Sequence, residues 1–317
     1  MSGNSKVFRL NTAPIGIYQP FFNEAVSQYL DPGFIALDWL QNPDPALREL
    51  ALHHHILQSR LFERHKLTGL FSPKFFSKTG LTSSDVKDWI NQNPGHEIYC
   101  FDGRPFVPYT FYNSIERGAR SHPPDFEGRL RSVCSAIGFD LPVEFGRQTT
   151  KQTIHCNFWC ASPSFWERWG REIVFPIFRL PQSDAPLAHK VFCETPYRSR
   201  TPVFLITFIY ERIMSYYIQT KGIDAAMFPW SAERIIGLKC PPPMRDYLVH
   251  NLPWIDEIDR RDQWTPADRA KLAAAYDELI SQASNMQAHE ANVFDPLDFD
   301  LPARKPPILD GKRSTHQ

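Results

Sequence analysis

Apolar positions along this chain switch repeatedly between a period of two and a period near 3.6, and each switch marks an element. Val7, Phe8, Leu10, Ile15, Ile17 and Tyr18 predict an extended start, broken by Pro14 and ended by Pro20. Residues 44–65 predict a helix: Asp44 suits the N-cap, Pro45 the first turn, and Leu47, Leu50, His54, Leu57 and Leu61 share one face. Residues 67–71 predict a buried strand. Thr82 and Asp85 then form a capping box ahead of Val86, Trp89 and Ile90, and Asn93-Pro94-Gly95 stops that helix. Residues 97–101 predict the next strand. Pro123-Pro124 opens a helix with Phe126, Leu130, Val133 and Ile137 inward, stopped at Gly138. Residues 153–160 predict a strand, and Ser162-Pro163 caps a helix carrying Trp166, Trp169 and Ile173. Residues 202–221 predict a long apolar helix closed by Gly222. Cys240 and Pro241 to Pro243 predict a rigid corner, and Thr265-Pro266 caps a last helix through Leu272, Tyr276, Leu279 and Ile280. From Asn292 the chain is polar and proline-rich.

Strands alternating with helices predict an α/β domain with a mixed sheet flanked by helices and a C-terminal helical extension. The boundaries fall at 1–240 for the sheet domain, 241–291 for the corner and the helix that packs on it, and 292–317 for a tail. In such folds ligands bind beyond the carboxyl ends of the strands, so the segments after Tyr18, Phe71, Phe101 and Cys160 are where chemistry is expected.

Composition narrows the partners. Lys+Arg and Asp+Glu are both 35, a net charge of zero, which argues against nucleic-acid binding. No signal-like or spanning apolar run is present, and the six cysteines are scattered, so the expected location is a reducing cytoplasm without a transmembrane segment. Proline at 28 against 15 glycines predicts fixed corners rather than flexible linkers. The 14% of aromatic residues serve a large core, and they also suit stacking on bases or sugars.

The motifs of P-loop ATPases, zinc proteases, GxSxG hydrolases and simple dinucleotide enzymes are absent. His53, His54 and His55 point in different directions on a helix and make a poor metal tract. Ser72-Pro-Lys74-Phe-Phe-Ser77-Lys78-Thr79-Gly80 lies between a strand and a capped helix, where Lys74 and Lys78 could meet a diphosphate and Ser72, Ser77 and Thr79 add hydroxyls. The same spacing also describes an ordinary loop with solvated lysines. Asp102 and Arg104 follow a strand and read either as site residues or as an Asp-Gly turn. Tyr18 and Gln19 suit a base or ribose, or the core. Asn157 and Trp159 suit a sugar, or structural hydrogen bonding and packing. Glu211-Arg212 places opposite charges inside an apolar helix, costly unless they find partners.

Several of these segments together resemble glycosyltransferases of bacterial polysaccharide gene clusters, of the capsule and O-antigen kind. They are Ile17-Tyr-Gln-Pro-Phe-Phe22, the stretch from Leu67 to Gly80, Asn93-Pro-Gly-His96 with Ile98-Tyr99, Cys156-Asn-Phe-Trp159 and Phe208-Ile-Tyr-Glu-Arg212, spread over residues 7–220. The resemblance implies a GT-A-like domain over residues 1–240. It would bind a nucleotide-sugar donor and transfer the sugar to a growing glycan or lipid-linked acceptor, with peripheral membrane association. Tyr18, Gln19, Ser72, Lys74, Lys78, Thr79, Arg104, Asn157 and Trp159 would bind the donor. Asp102 would be the base, with Glu211 and Glu194 as lower-ranked choices. The Asp-x-Asp pair that holds a divalent cation (Mg or Mn) in GT-A enzymes has no counterpart after a strand. The one example, Asp298-Phe-Asp300, lies in the tail. The expectation is therefore no assigned metal residue, with Lys74, Lys78 or Arg104 neutralising the diphosphate. The alternative is a non-catalytic carbohydrate-binding or scaffold protein of the same assembly machinery.

Overall fold

The computed structural model describes residues 14–122, 125–195, 203–238 and 242–287. Its centre is a six-stranded mixed sheet of β1 (Ile15–Phe21), β2 (Ile35–Asp38), β3 (Leu67–Leu70), β4 (Ile98–Cys100), β5 (Trp159–Ala161) and β6 (Ala225–Met227). The order is β2-β1-β3-β5-β4-β6. Strand β5 is antiparallel to both neighbours, and the other pairings are parallel.

The period of two along each strand divides two cores. Tyr18, Leu70, Ile98, Cys100, Trp159 and Ala161 face one helical layer, built on Glu49–Gln58, Phe126–Ala136, Pro163–Trp169 and Leu205–Thr220. Ile15, Ile17, Tyr99, Cys160 and Ala226 face the other, built on Ser83–Gln92, Pro242–Arg261 and Pro266–Gln287. The protein is thus an α/β fold with helices on both faces and a C-terminal helical region. Backbones approach closely at the centre: a Cβ at Gly69 would lie 2.9 Å from the Trp159 carbonyl oxygen.

Local signals set most boundaries. Thr82 and Asp85 complete the capping box, Ser162 accepts from the Phe165 N–H, and Thr265 and Asp268 cap the last helix reciprocally. Elsewhere the chain departs from its pattern. The helix expected over 44–65 is split, because Arg48 is left-handed at φ 51°, leaving a 3-10 turn at Pro45–Leu47 before the α-helix at Glu49. Asp44 makes no side-chain cap. Within that helix His53 shares the buried face of Leu50 and Leu57 and packs against Trp159 and Trp166, while His54 stacks on Phe178. Residues 72–80 are not wholly a loop, since Phe75–Thr79 is helical and ends at the left-handed Gly80. Strand β5 is shorter than expected because Cys156 and Asn157 are left-handed, at φ 67° and 50°. Strands β2 and β6 carried no periodic signal: β2 is a largely exposed edge and β6 is Ala-Ala-Met. The helix Pro242–Arg261 starts where a corner was expected, because Pro242 and Pro243 occupy its first turn, where proline is tolerated. The tail from Asn292, including Asp298 and Asp300, lies outside the described residues, as does Cys240. No described helix is long and apolar enough to cross a membrane.

Candidate functional site

The carboxyl ends of β3 and β4 and the loop entering β5 meet at one edge of the sheet, because β5 runs the opposite way. The Phe101 N–H donates to the Phe158 carbonyl at 2.7 Å and the Gly103 N–H to that of His155 at 3.2 Å. This stitches residues 101–103 to 155–158. Only a residue without a side chain fits at Gly103, where a Cβ would lie 2.8 Å from Phe158 Cε2 and 2.9 Å from Cys156 Sγ.

Asp102 organises this junction. Its Oδ1 accepts from the Arg104 N–H at 2.8 Å and the His155 N–H at 3.0 Å. Its Oδ2 accepts from Thr153 Oγ1 at 3.0 Å and lies 3.4 Å from His155 Nδ1. The side chain is 1% exposed, and the local backbone and Thr153 occupy its oxygens. Asp102 holds the loop in shape. Burial pushes the His155 imidazole below its usual range although Asp102 opposes this, and its Nε2 has no partner.

The helix Leu205–Thr220 crosses the same edge. Ser215 Oγ accepts from the Ile154 N–H at 2.9 Å, and Glu211 Oε1 accepts from the Cys156 N–H at 2.5 Å. Glu211 Oε2 pairs with Arg212. Burial opposes ionisation of Glu211, but Arg212, His155 and Arg117 outweigh it and hold the carboxyl well below the usual range. Arg117, from Ser114–Ser121, is 7% exposed and Arg212 is 2% exposed. Burial lowers both guanidinium groups, and for Arg117 the charges of Arg104 and Arg212 push further, to about 10. The Nε atoms of Arg117 and Arg212 lack partners, as do both ring nitrogens of His122. Burial, then Arg212 and Arg117, push His122 down to about 2. From the third side Lys78 Nζ reaches Cys156 Sγ at 3.2 Å and sits 5.9 Å over the Phe158 ring. The result is a cluster in which the buried Arg104, Arg117 and Arg212 and the half-buried Lys78 gather around the ionised Glu211, with Asp102 and Glu49 beside them. Cations gathered this closely suit an anionic ligand.

The residues expected in the site fall into groups. Lys78, Arg104, Asn157 and Glu211 belong to the cluster. Ser72 and Lys74 stand beside it on the turn after β3, with the Ser72 hydroxyl accepting from the Lys74 N–H at 3.2 Å. Gln19 is a buried brace: its Nε2 donates to the Ser72 carbonyl at 3.0 Å and its Oε1 accepts from the Asp31 N–H at 2.7 Å. Thr79 turns back on its own helix, donating to the Phe75 carbonyl at 2.8 Å. Tyr18 lies in the core against His65, and Trp159 lies in the core among Phe165, Trp166 and Trp169. Neither ring presents a face for stacking. Glu194 is exposed, in an isolated bridge with Phe204.

Four residues of the cluster were not anticipated: Glu49, Arg117, His122 and His155. Arg117 did carry a signal, since it lies between Ile115 and Gly118 on the buried face of its helix. Gly118 permits that depth: a Cβ there would lie 2.3 Å from Phe126 Cε1. Among the described residues no group of three or more His, Cys, Asp or Glu side chains is placed to hold a metal ion. Compared with protein-family models, curated proteins and solved structures, the chain matches none.

Proposed function

We propose that this protein is a glycosyltransferase of the cytoplasm that takes a sugar from a nucleotide-sugar donor and gives it to a glycan acceptor, as the sequence resemblance implies. The observation that carries the reading is the buried cationic cluster at the carboxyl ends of β3 and β4. Glycosyl transfer expels a nucleoside diphosphate, and the step depends on fixed positive charge where that leaving group accumulates negative charge. Lys78, Arg104, Arg117 and Arg212 supply it, and the Nε donors of Arg117 and Arg212 provide directional hydrogen bonds. The aromatic excess, which motivated the alternative of a carbohydrate-binding module, lies largely in the two cores. That location weakens the alternative.

A nucleotide screen by thermal shift tests the proposal. A nucleoside diphosphate at 100 times its Kd stabilises the fold by about 2.7 kcal/mol. With an unfolding entropy of roughly 2.1 cal/mol/K per residue, that raises the melting temperature of a 317-residue chain by about 4 °C. Arg117→Met removes a cation repelled by Arg104 and Arg212, so it abolishes the ligand shift while the ligand-free melting temperature holds or rises. Stabilisation by oligosaccharides alone, with no response to any nucleotide, would establish the binding-module alternative instead.

A further inference from the structure

We propose that Glu49, rather than Asp102 or Glu211, accepts the proton of the attacking hydroxyl in this site. The inference rests on the glycosyl-transfer reading.

Three carboxylates approach the cluster, and two are committed. Asp102 is held by two backbone N–H groups and Thr153. Glu211 is held by the Cys156 N–H on one oxygen and Arg212 on the other. In both, fixed donors already occupy the oxygens, and Arg212, His155 and Arg117 hold Glu211 as a stable anion, a poor proton acceptor. Glu49 differs. It is the first residue of its helix, set by the left-handed Arg48, and it reaches across to the β5 loop with Oε1 3.5 Å from Asn157 Nδ2. Asn157 is itself left-handed and 1% exposed, and its Oδ1 has no partner. An asparagine so placed offers a free acceptor for a sugar hydroxyl beside the Glu49 carboxylate.

The electrostatics agree. Burial, then the charge of Glu211, push Glu49 up to about 7, against the opposing pull of Lys78 and Arg48. Arg212 and Tyr210, on the Leu205–Thr220 helix, share its field. Two neighbouring carboxyls pushed in opposite directions divide the work: Glu211 stays charged and fixes the loop, while Glu49 exchanges a proton near neutrality. In the step, the acceptor oxygen bonds to the anomeric carbon and its proton passes to Glu49. The bond from that carbon to the diphosphate oxygen breaks, and the electron pair leaves with the diphosphate onto the cationic cluster.

The test compares wild type, Glu49→Gln and Glu49→Asp for sugar transfer across pH and for nucleoside diphosphate binding by thermal shift. The expected result is a wild-type rate that rises with pH through about 7, and a Glu49→Gln rate lower by a factor of about 10² or more with the rise abolished. The nucleotide shift is retained in both variants, and Glu49→Asp keeps partial activity with a displaced rise. Undiminished transfer by Glu49→Gln, or an unaltered pH profile in Glu49→Asp, overturns the assignment while leaving the transferase reading in place. A wild type that consumes no nucleotide-sugar overturns both.

Discussion

Replacing Asp102 by alanine strands two buried donors at once, the Arg104 N–H and the His155 N–H, while the Thr153 hydroxyl keeps the Thr149 carbonyl at 3.3 Å. At 1% exposure no solvent replaces it. Each stranded buried donor costs about 1–3 kcal/mol, so the variant loses about 2–6 kcal/mol. A folded domain holds only about 5–15 kcal/mol in total. At roughly 2.1 cal/mol/K per residue over 317 residues, the melting temperature falls by about 3–9 °C. Asp102→Asn is the informative partner. Its carbonyl oxygen still accepts both N–H groups, and its NH2 can donate to Thr153 Oγ1, so it loses about 1 kcal/mol. Calorimetric melting and donor turnover are measured on both. If Asp102 is architectural, the asparagine variant remains active and the alanine variant melts early. An alanine variant with the wild-type melting temperature, or a stable asparagine variant with no turnover, would refute the reasoning and return Asp102 to the chemistry.

Two further outcomes follow from the packing and from titration. Gly103→Ala drives a methyl group into Phe158 and Cys156, so it displaces the loop that carries His155 to Asn157. The cost is about 1–3 kcal/mol in the melting curve, and nucleoside diphosphate binding weakens more than that stability loss implies; unchanged binding would show that the loop does not shape the site. Acid should destabilise the fold early, because burial pushes His53 down to about 3, pushes His122 down to about 2 with help from Arg212 and Arg117, and lowers His155. A depressed histidine stays neutral when folded while the unfolded chain takes up a proton below 6.5, so this stability is fully present above 6.5 and drains away as pH falls. His53 and His122 each cost about 2 kcal/mol by pH 5, at 1.36 kcal/mol per pH unit. Equal urea midpoints at pH 7 and pH 5 would contradict the burial of these rings.

Much of this architecture is written locally. Thr82, Ser162 and Thr265 announce their helices because a cap satisfies N–H groups within four residues. The strand at 97–101 shows as a run from Ile98 to Phe101 that is apolar throughout, because both faces of the central sheet are covered. The failures are equally local in origin. Arg48 and Cys156 adopt left-handed backbone that no residue preference announces, Asn157 adopts it as asparagine readily does, and each sits where the chain turns towards the candidate site. The candidate site draws on Glu49, Lys78, Arg104, Arg117, Asn157 and Glu211, six positions on separate segments: Lys78, Arg104, Asn157 and Glu211 stand out one by one in the sequence, but no spacing joins them to Glu49 and Arg117. The residues at the predicted strand ends divide. Gln19, Thr79 and Asp102 are polar because loops at a sheet edge must satisfy their own backbone, and they are structural. Arg117, Arg212 and Glu211 lie on otherwise inward-facing helix surfaces, where a charge is destabilising unless it meets another charge or a ligand. In this chain a charged side chain on an apolar helix face points to the candidate site better than a polar side chain after a strand, because a buried charge costs far more than a buried polar group unless partners meet it.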